Sequence, residues 1–114
     1  MPDMRVEKDL VAASAVPLLL SILAAGESHG YAILRRVSEL SGGEVLWSEG
    51  MLYPVLHRLE ERGLIRSRWV PSEVGPPRKL YALNHRGQEH LAEARRQWLL
   101  LSSTLERAWG GSGA

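Results

Sequence analysis

The stretch Ser48-Glu49-Gly50-Met51-Leu52-Tyr53-Pro54-Val55-Leu56-His57-Arg58-Leu59-Glu60-Glu61-Arg62-Gly63 decides how this chain is read. Leu52, Val55, Leu56 and Leu59 recur at helical spacing, so one face of the segment belongs to a core. Ser48, followed directly by an acid, is placed to cap the start, and Gly63 to stop the end. The remaining face carries Tyr53, Pro54, His57, Arg58 and Glu61. Those side chains stack, donate hydrogen bonds and meet phosphate, and they contain no catalytic set. Pro54 speaks against an unbroken helix: its missing N–H leaves the Gly50 carbonyl without a partner, at about 3 kcal/mol in an ordinary helix. Pattern alone splits the segment there.

Upstream, Leu10 to Ala25 reads as a helix with Val16, Leu19, Leu20 and Leu23 on one side. Leu18 and Ile22 widen that side, which predicts burial on more than one face. Pro17 fits the first turn of a helix that begins near Ser14. Whether residues 3–13 form a separate helix stays open, and Met1 to Asp9 reads as a loose, polar start. Ser28 is placed to cap a helix from His29 to Ser41, with Ile33, Leu34, Val37 and Leu40 inward and Arg35, Arg36 and Glu39 outward. Gly42-Gly43 ends it. Trp47, just before the Ser48 cap, is placed to act as a hydrophobic staple.

Downstream of Gly63 the period changes to alternation. Ile65, Ser67 and Trp69 alternate with Arg66, Arg68 and Val70, the pattern of a strand with its arginines outward. A Gly/Pro-rich loop, residues 71–77, leads to Arg78, Lys79 and a short strand from Leu80 to Leu83. Two strands around such a loop make a hairpin, and a basic hairpin beside a helix-turn-helix is a wing. With the outer face of the Ser48–Gly63 segment, this points to a recognition helix in a small DNA-binding regulator.

Asn84 is placed to cap a last helix, His85 to about Trp109. Within it Leu91, Ala94, Trp98, Leu101, Leu105 and Ala108 step at the a/d spacing of a helix–helix seam, and Leu99 and Leu100 add apolar surface beside it. About 24 residues rising about 1.5 Å each give roughly 36 Å of helix, which overhangs a domain this small. A second copy covers both sides most simply, so the expected state is a homodimer with Leu91, Ala94, Trp98, Leu101 and Leu105 at its interface.

Composition sets bounds on function. A chain of 114 residues with 45% hydrophobic and 24% charged residues is globular. The absence of cysteine removes disulfides and thiolate metal sites. Leu10 to Ala25 is too short and interrupted for a membrane span, and the mixed charges of Met1 to Asp9 do not make a basic leader; a cytoplasmic location is expected. Net charge is only +1, so composition alone does not call for nucleic acid. Between residues 65 and 86, however, Arg66, Arg68, Arg78, Lys79 and Arg86 face one acid, Glu73. No Ser/His/Asp set, phosphate loop or carboxylate pair has useful spacing, so an enzyme is not expected. The four histidines are scattered, with His85 and His90 on different faces of one helix; neither a metal nor another cofactor is expected.

His29-Gly-Tyr-Ala-Ile33, Glu39-Leu-Ser-Gly-Gly43, Ser48-Glu-Gly-Met-Leu-Tyr-Pro54, Leu56-His-Arg-Leu-Glu60, Gly63-Leu-Ile65 and Arg78-Lys79-Leu-Tyr81 resemble, in order, the PadR family of bacterial transcriptional regulators. The resemblance covers roughly residues 10–100 and is closest to the compact branch with a single C-terminal helix. It implies a mainly α chain with a small β-hairpin: a winged helix-turn-helix over residues 10–83, a dimerisation helix over 84–109, and flexible tails at 1–9 and 110–114. It implies a homodimeric repressor of double-stranded DNA, bound to an inverted repeat and released by a planar small-molecule effector. It also argues for one whole, kinked helix through Pro54. By this resemblance Tyr31 matches a residue that touches the DNA backbone. Ser48, Met51, Tyr53 and Pro54 match the part of the helix that enters the major groove, with His57 and Arg58 further along its outer face. Gly75, Arg78 and Lys79 match the wing. Two positions depart from the pattern: Pro76 stands where many members carry a cation, and Met51 where Thr is common.

Plainer readings stand beside these. Tyr53 is equally a half-buried aromatic with a wet hydroxyl, His57 and Arg58 are solvated surface groups, and Arg78 and Lys79 are solubility residues of a turn. Trp98 either packs the seam or lines an effector pocket between subunits. The alternative function is a winged-helix protein-interaction module that does not bind DNA.

Overall fold

The computed structural model describes residues 6–110, and the start and end of the chain expected to be loose fall partly outside them. Four helices, α1 (Lys8–Ala24), α2 (Gly30–Leu40), α3 (Glu49–Glu61) and α4 (His85–Ala108), surround a three-stranded antiparallel sheet. Its strands are β1 (Ser28–His29), β2 (Ile65–Val70) and β3 (Arg78–Leu83), in the order β1-β3-β2. The expected class, mainly α with a small β-hairpin, is the one observed.

α3 carries out its sequence pattern closely. Leu52, Val55, Leu56 and Leu59 are its buried residues, and the Ser48 hydroxyl accepts from the Met51 N–H at 3.1 Å as the cap. Trp47 and Leu52, the two staple positions, both belong to the core. Pro54 lies inside one continuous helix. Gly50 is exposed, so water can satisfy the carbonyl that Pro54 leaves unpaired. The helix closes on two bonds, from the Gly63 N–H to the Glu60 carbonyl and from the Leu64 N–H to the Leu59 carbonyl, both 3.0 Å.

α1 departs from expectation. It begins at Lys8, not near Ser14, and Pro17 sits in its interior. Residues 8 and 9 are therefore helical, and residues 10–13 continue the same helix. The carbonyl orphaned by Pro17 is that of Ala13, which is exposed. Ala15, Leu19, Leu20, Ile22 and Leu23 are buried on both sides of the break and hold the helix in place. Burial on more than one face follows from its neighbours: α1 packs on α2, β3 and α4.

Two further corrections concern α2 and the sheet. Ser28 does not cap α2. Ser28 and His29 pair with Tyr81 and Leu80 as an edge strand, and His29 is the cap, its Nδ1 accepting from the Ala32 N–H at 3.3 Å. Leu40, expected inward, is 52% exposed at the last turn. Trp69 keeps the alternation of β2 but is 67% exposed. Its ring meets the Lys79 ammonium rather than the core.

Two side-chain bonds fix the hairpin to the helices. Ser67 donates to Glu60 of α3 at 2.6 Å, and the Asn84 amide donates to the Gly63 carbonyl at 2.7 Å while its oxygen caps α4 at Gly87. Leu91 of α4 joins the core of α1–α3 and the sheet. It is spent inside the chain and is not available on an open seam.

Candidate nucleic-acid interface

The residues singled out in the sequence fall on three adjoining surfaces. Tyr31 stands 66% exposed on the first turn of α2, with the Arg35 guanidinium 5.6 Å from its ring centroid. Tyr53, Pro54, His57 and Arg58 are exposed along α3. Gly75 is at the exposed turn of the hairpin, with φ +92°. Met51 lies elsewhere: it is half-buried against the core and lines a groove with Val6, Val11 and Leu46. The Ser48 hydroxyl is exposed but already serves as the cap.

Tyr31, Tyr53, Arg78 and Lys79 converge. With His29, Gly30, Trp69, Pro77 and Tyr81 they line one open cleft of about 390 Å³ between the start of α2, α3 and the wing. α2 and α3 approach closely here because residue 30 has no side chain. A Cβ on Gly30 would overlap the Tyr53 hydroxyl and come within 2.9 Å of its Cζ. No acid lines the cleft.

Arg78 and Lys79 lie within β3 rather than in the turn, paired with Val70 and Trp69. Side chains alternate along a strand, so the two cations point to opposite faces of the sheet. Lys79 is half-buried, its ammonium 5.6 Å from the Trp69 ring and 5.7 Å from the Tyr81 ring. Arg78 lies on the face shared with His29 and Arg68. Arg68 is neutralised there by a 2.6 Å ion pair with Glu27, whereas Arg78 has no carboxylate partner among the described residues.

The Arg78 contact with His29 has an unusual chemistry. The guanidinium Nη1 is 3.2 Å from the His29 Nε2. A neutral imidazole has one donor and one acceptor, while Nδ1 and Nε2 are both placed to accept, from the Ala32 N–H and from Arg78. With one ring proton, only one of the two contacts is a hydrogen bond at a time: Nδ1 accepts from Ala32, or Nε2 accepts from Arg78. The first arrangement keeps a cap worth about 1 kcal/mol, and the second gives Arg78 an acceptor within the protein. Burial of the ring, then the charges of Arg78 and Arg35, hold the His29 pKa below its ordinary value of 6.5, so the ring is neutral at pH 7.

His29 was legible only as part of the His-Gly-Tyr motif, and the exposed Trp69 as an inward strand residue. Their place in the cleft follows from β1 pairing with β3, which no local pattern announces.

Along α4, Leu99, Leu100, Leu101, Leu105 and Trp109 are all about half exposed or more. Trp98 is half-buried. It lines a shallow, mostly apolar groove of about 330 Å³ with Pro17, Leu18 and Ser21 of α1 and Arg95 and Leu99 of its own helix. Ala94 is half-buried on the same side.

A capped helix pair followed by an antiparallel hairpin defines a winged helix-turn-helix, the scaffold of a class of transcriptional regulators. Residues 19–93 match the transcriptional regulator PadR-like family, and the chain belongs to it. It is 35% identical over 80 residues to the transcriptional regulator YqjI of Escherichia coli, a match covering 70% of this chain and 37% of that protein. The chain thus spans well under half the length of that curated relative. Among solved structures, a PadR-like regulator from Bacillus cereus superposes with a TM-score of 0.79 at 28% identity, over 92% of this chain and 100% of that one. A PadR family regulator from Eggerthella lenta gives 0.78 at 29%, covering 89% and 86%. A regulator from Clostridium thermocellum shares the fold at 0.80 and 24% identity, covering 88% and 97%. The family and these neighbours are regulators of transcription, not enzymes.

Proposed function

We propose that the chain is a sequence-specific DNA-binding repressor that acts as a homodimer on an inverted repeat. The observation that carries this reading is the acid-free cleft joining the exposed face of α3 to the wing cations. Tyr53, Pro54, His57 and Arg58 of α3 meet base edges in the major groove. Tyr31 and Ser48 hold the backbone, and Gly75, Arg78 and Lys79 reach the adjoining phosphates. Membership of a family of transcriptional regulators supports DNA as the partner.

The dimer forms through the distal half of α4, where Leu101 and Leu105, beside half-buried Trp98, present apolar surface that the chain itself does not cover. Ala94 extends this face toward the domain. A planar effector stacks on Trp98 in the groove between α1 and α4, and shifts the dimer only if it binds one arrangement better than the other. The working place of such a repressor is the cytoplasm. No described helix is long and apolar enough to cross a membrane.

A protein-interaction module is the second reading, and the exposure of Trp69 and Val74 on the hairpin favours it. One experiment separates the two. A duplex is selected from a random library with the purified protein, and its anisotropy titration is compared with a scrambled duplex across a salt series. Tight, salt-dependent, sequence-selective binding is the expected result. Equal and weak binding of both duplexes removes the repressor reading.

A further inference from the structure

We propose that Glu27 is a positioning residue that withholds Arg68 from nucleic acid, and so holds down the sequence-independent share of the affinity. Nucleic acid as the competitor rests on the DNA-binding reading above; the ion pair itself does not. Glu27 lies in the turn between α1 and β1, and Arg68 lies in β2, 41 residues away. They meet as a fork. The guanidinium donates from Nη2 to one carboxylate oxygen at 2.6 Å and from Nε to the other at 3.3 Å. Two such bonds fix the direction of the side chain as well as its charge.

The sheet register gives this pair its consequence. Arg66, Arg68 and Val70 stand opposite Ala82, Leu80 and Arg78, and residues opposite one another share a face. Three arginines therefore belong to one side of the sheet. Arg66 turns to the Leu83 carbonyl, Arg68 is held by Glu27, and Arg78 has no carboxylate partner among the described residues. Because β3 lies between β1 and β2, the Arg68 side chain reaches across the middle strand to the α1–β1 turn instead of projecting from the wing. The hydrogen bond from Arg68, more than the charges of Arg68 and Arg66, holds the Glu27 carboxyl below its ordinary value of 4.5, so it is ionised at pH 7. Both side chains are exposed, Arg68 by 60% and Glu27 by 40%. Exposed pairs add little stability, so the contact is open to competition from a phosphate. Phosphate contacts carry no sequence information. An acid at the base of the wing thus keeps one cation off every duplex alike and leaves selection to the groups that meet base edges.

The test begins without DNA. The Glu27 carboxyl is titrated by ¹³C NMR in the wild type and in Arg68→Ala. Its midpoint is expected to rise in the variant. An unchanged midpoint means that no bridge forms in solution and overturns the proposal, whatever the protein does with DNA.

Anisotropy titrations of the selected and scrambled duplexes across the salt series follow, for the wild type, Glu27→Ala, Arg68→Ala and the double variant. One further phosphate neutralised adds about 0.9 to the salt slope, which at about 0.15 M salt is roughly fivefold in affinity. Glu27→Ala is expected to show that steeper slope and to bind both duplexes roughly fivefold more tightly. Removing any acid near a polyanion also favours binding, but that effect does not need Arg68. The gain is therefore expected to vanish in the double variant, and a gain that survives there overturns the proposal. An unchanged slope in Glu27→Ala, with selective binding by the wild type, overturns it too and leaves the DNA reading intact. Absence of salt-dependent binding to either duplex, in the wild type and in Glu27→Ala, rejects the DNA reading and the withholding role with it, while the NMR titration still reports the bridge.

Discussion

Arg78 and Lys79 are neighbours in sequence, yet their surroundings predict different consequences when each is removed. Lys79 is half-buried over the rings of Trp69 and Tyr81, at 5.6 and 5.7 Å, whereas Arg78 is exposed beside the cleft without a carboxylate partner among the described residues. Each phosphate neutralised by a cation adds about 0.9 to the slope of log affinity against log salt, so a fourfold rise in salt costs roughly 3.5-fold per contact. Arg78→Ala is therefore expected to lower the slope by about one unit and to leave the melting temperature unchanged, because an exposed side chain is removed. Lys79→Ala is expected to lower the slope by less, and to cost about 0.5–1 kcal/mol of stability through its lost ring contacts. In a domain near this size that is a shift of a few degrees. Anisotropy titrations across the salt series, with thermal melts of the same samples, measure both quantities. Equal slope losses with identical melts would refute the assignment of the two cations to opposite faces. An unchanged slope in the double variant would remove the wing from DNA binding.

Gly30→Ala pushes the Tyr53 hydroxyl off the start of α2. Because the displaced atom ends a half-exposed side chain, stability is expected to fall by less than about 1 kcal/mol while duplex affinity drops; an unaffected affinity would free Tyr53 of any role. Gly87→Ala is the harsher change: its Cβ would overlap the Leu64 carbonyl and come within 2.6 Å of Leu83 Cδ1. Overpacking against backbone is expected to cost about 1–3 kcal/mol in denaturant melts, and a neutral result would mean that α4 can slide. Charging the distal helix with Leu101→Glu and Leu105→Glu is expected to yield monomers in sedimentation velocity, and a dimer that survives both places the seam elsewhere. The depressed His29 pKa makes the unfolded chain the better proton acceptor. Its contribution to stability is thus complete above the ordinary imidazole value and is lost as pH falls through the lower, folded-state value. Urea midpoints at pH 7.5 and 5.5 are expected to converge in His29→Asn, and an undiminished difference would assign the pH dependence to other groups.

The sequence alone determined what short-range geometry controls. The inward face of α3 follows from the 3.6-residue period of Leu52, Val55, Leu56 and Leu59. The caps Ser48 and Asn84 follow from side chains whose oxygens reach the next turn, and the hairpin from alternation broken by a Gly/Pro loop. The family motifs were legible for the same reason, being runs of neighbours. Tertiary structure decided the rest. α1 runs through Pro17 because buried residues on both sides of it outweigh one lost bond, a sum that no window around Pro17 contains. Ser28 and His29 become a strand only because β3 offers a free edge, and a two-residue strand has no period to read. Leu91 and Leu105 occupy equivalent places in the α4 repeat, yet one is in the core and the other outside it, because the domain ends partway along that helix. The pairing of His29 with Arg78 joins residues 49 positions apart. Only the pairing of β1 with β3 brings the two side chains within reach.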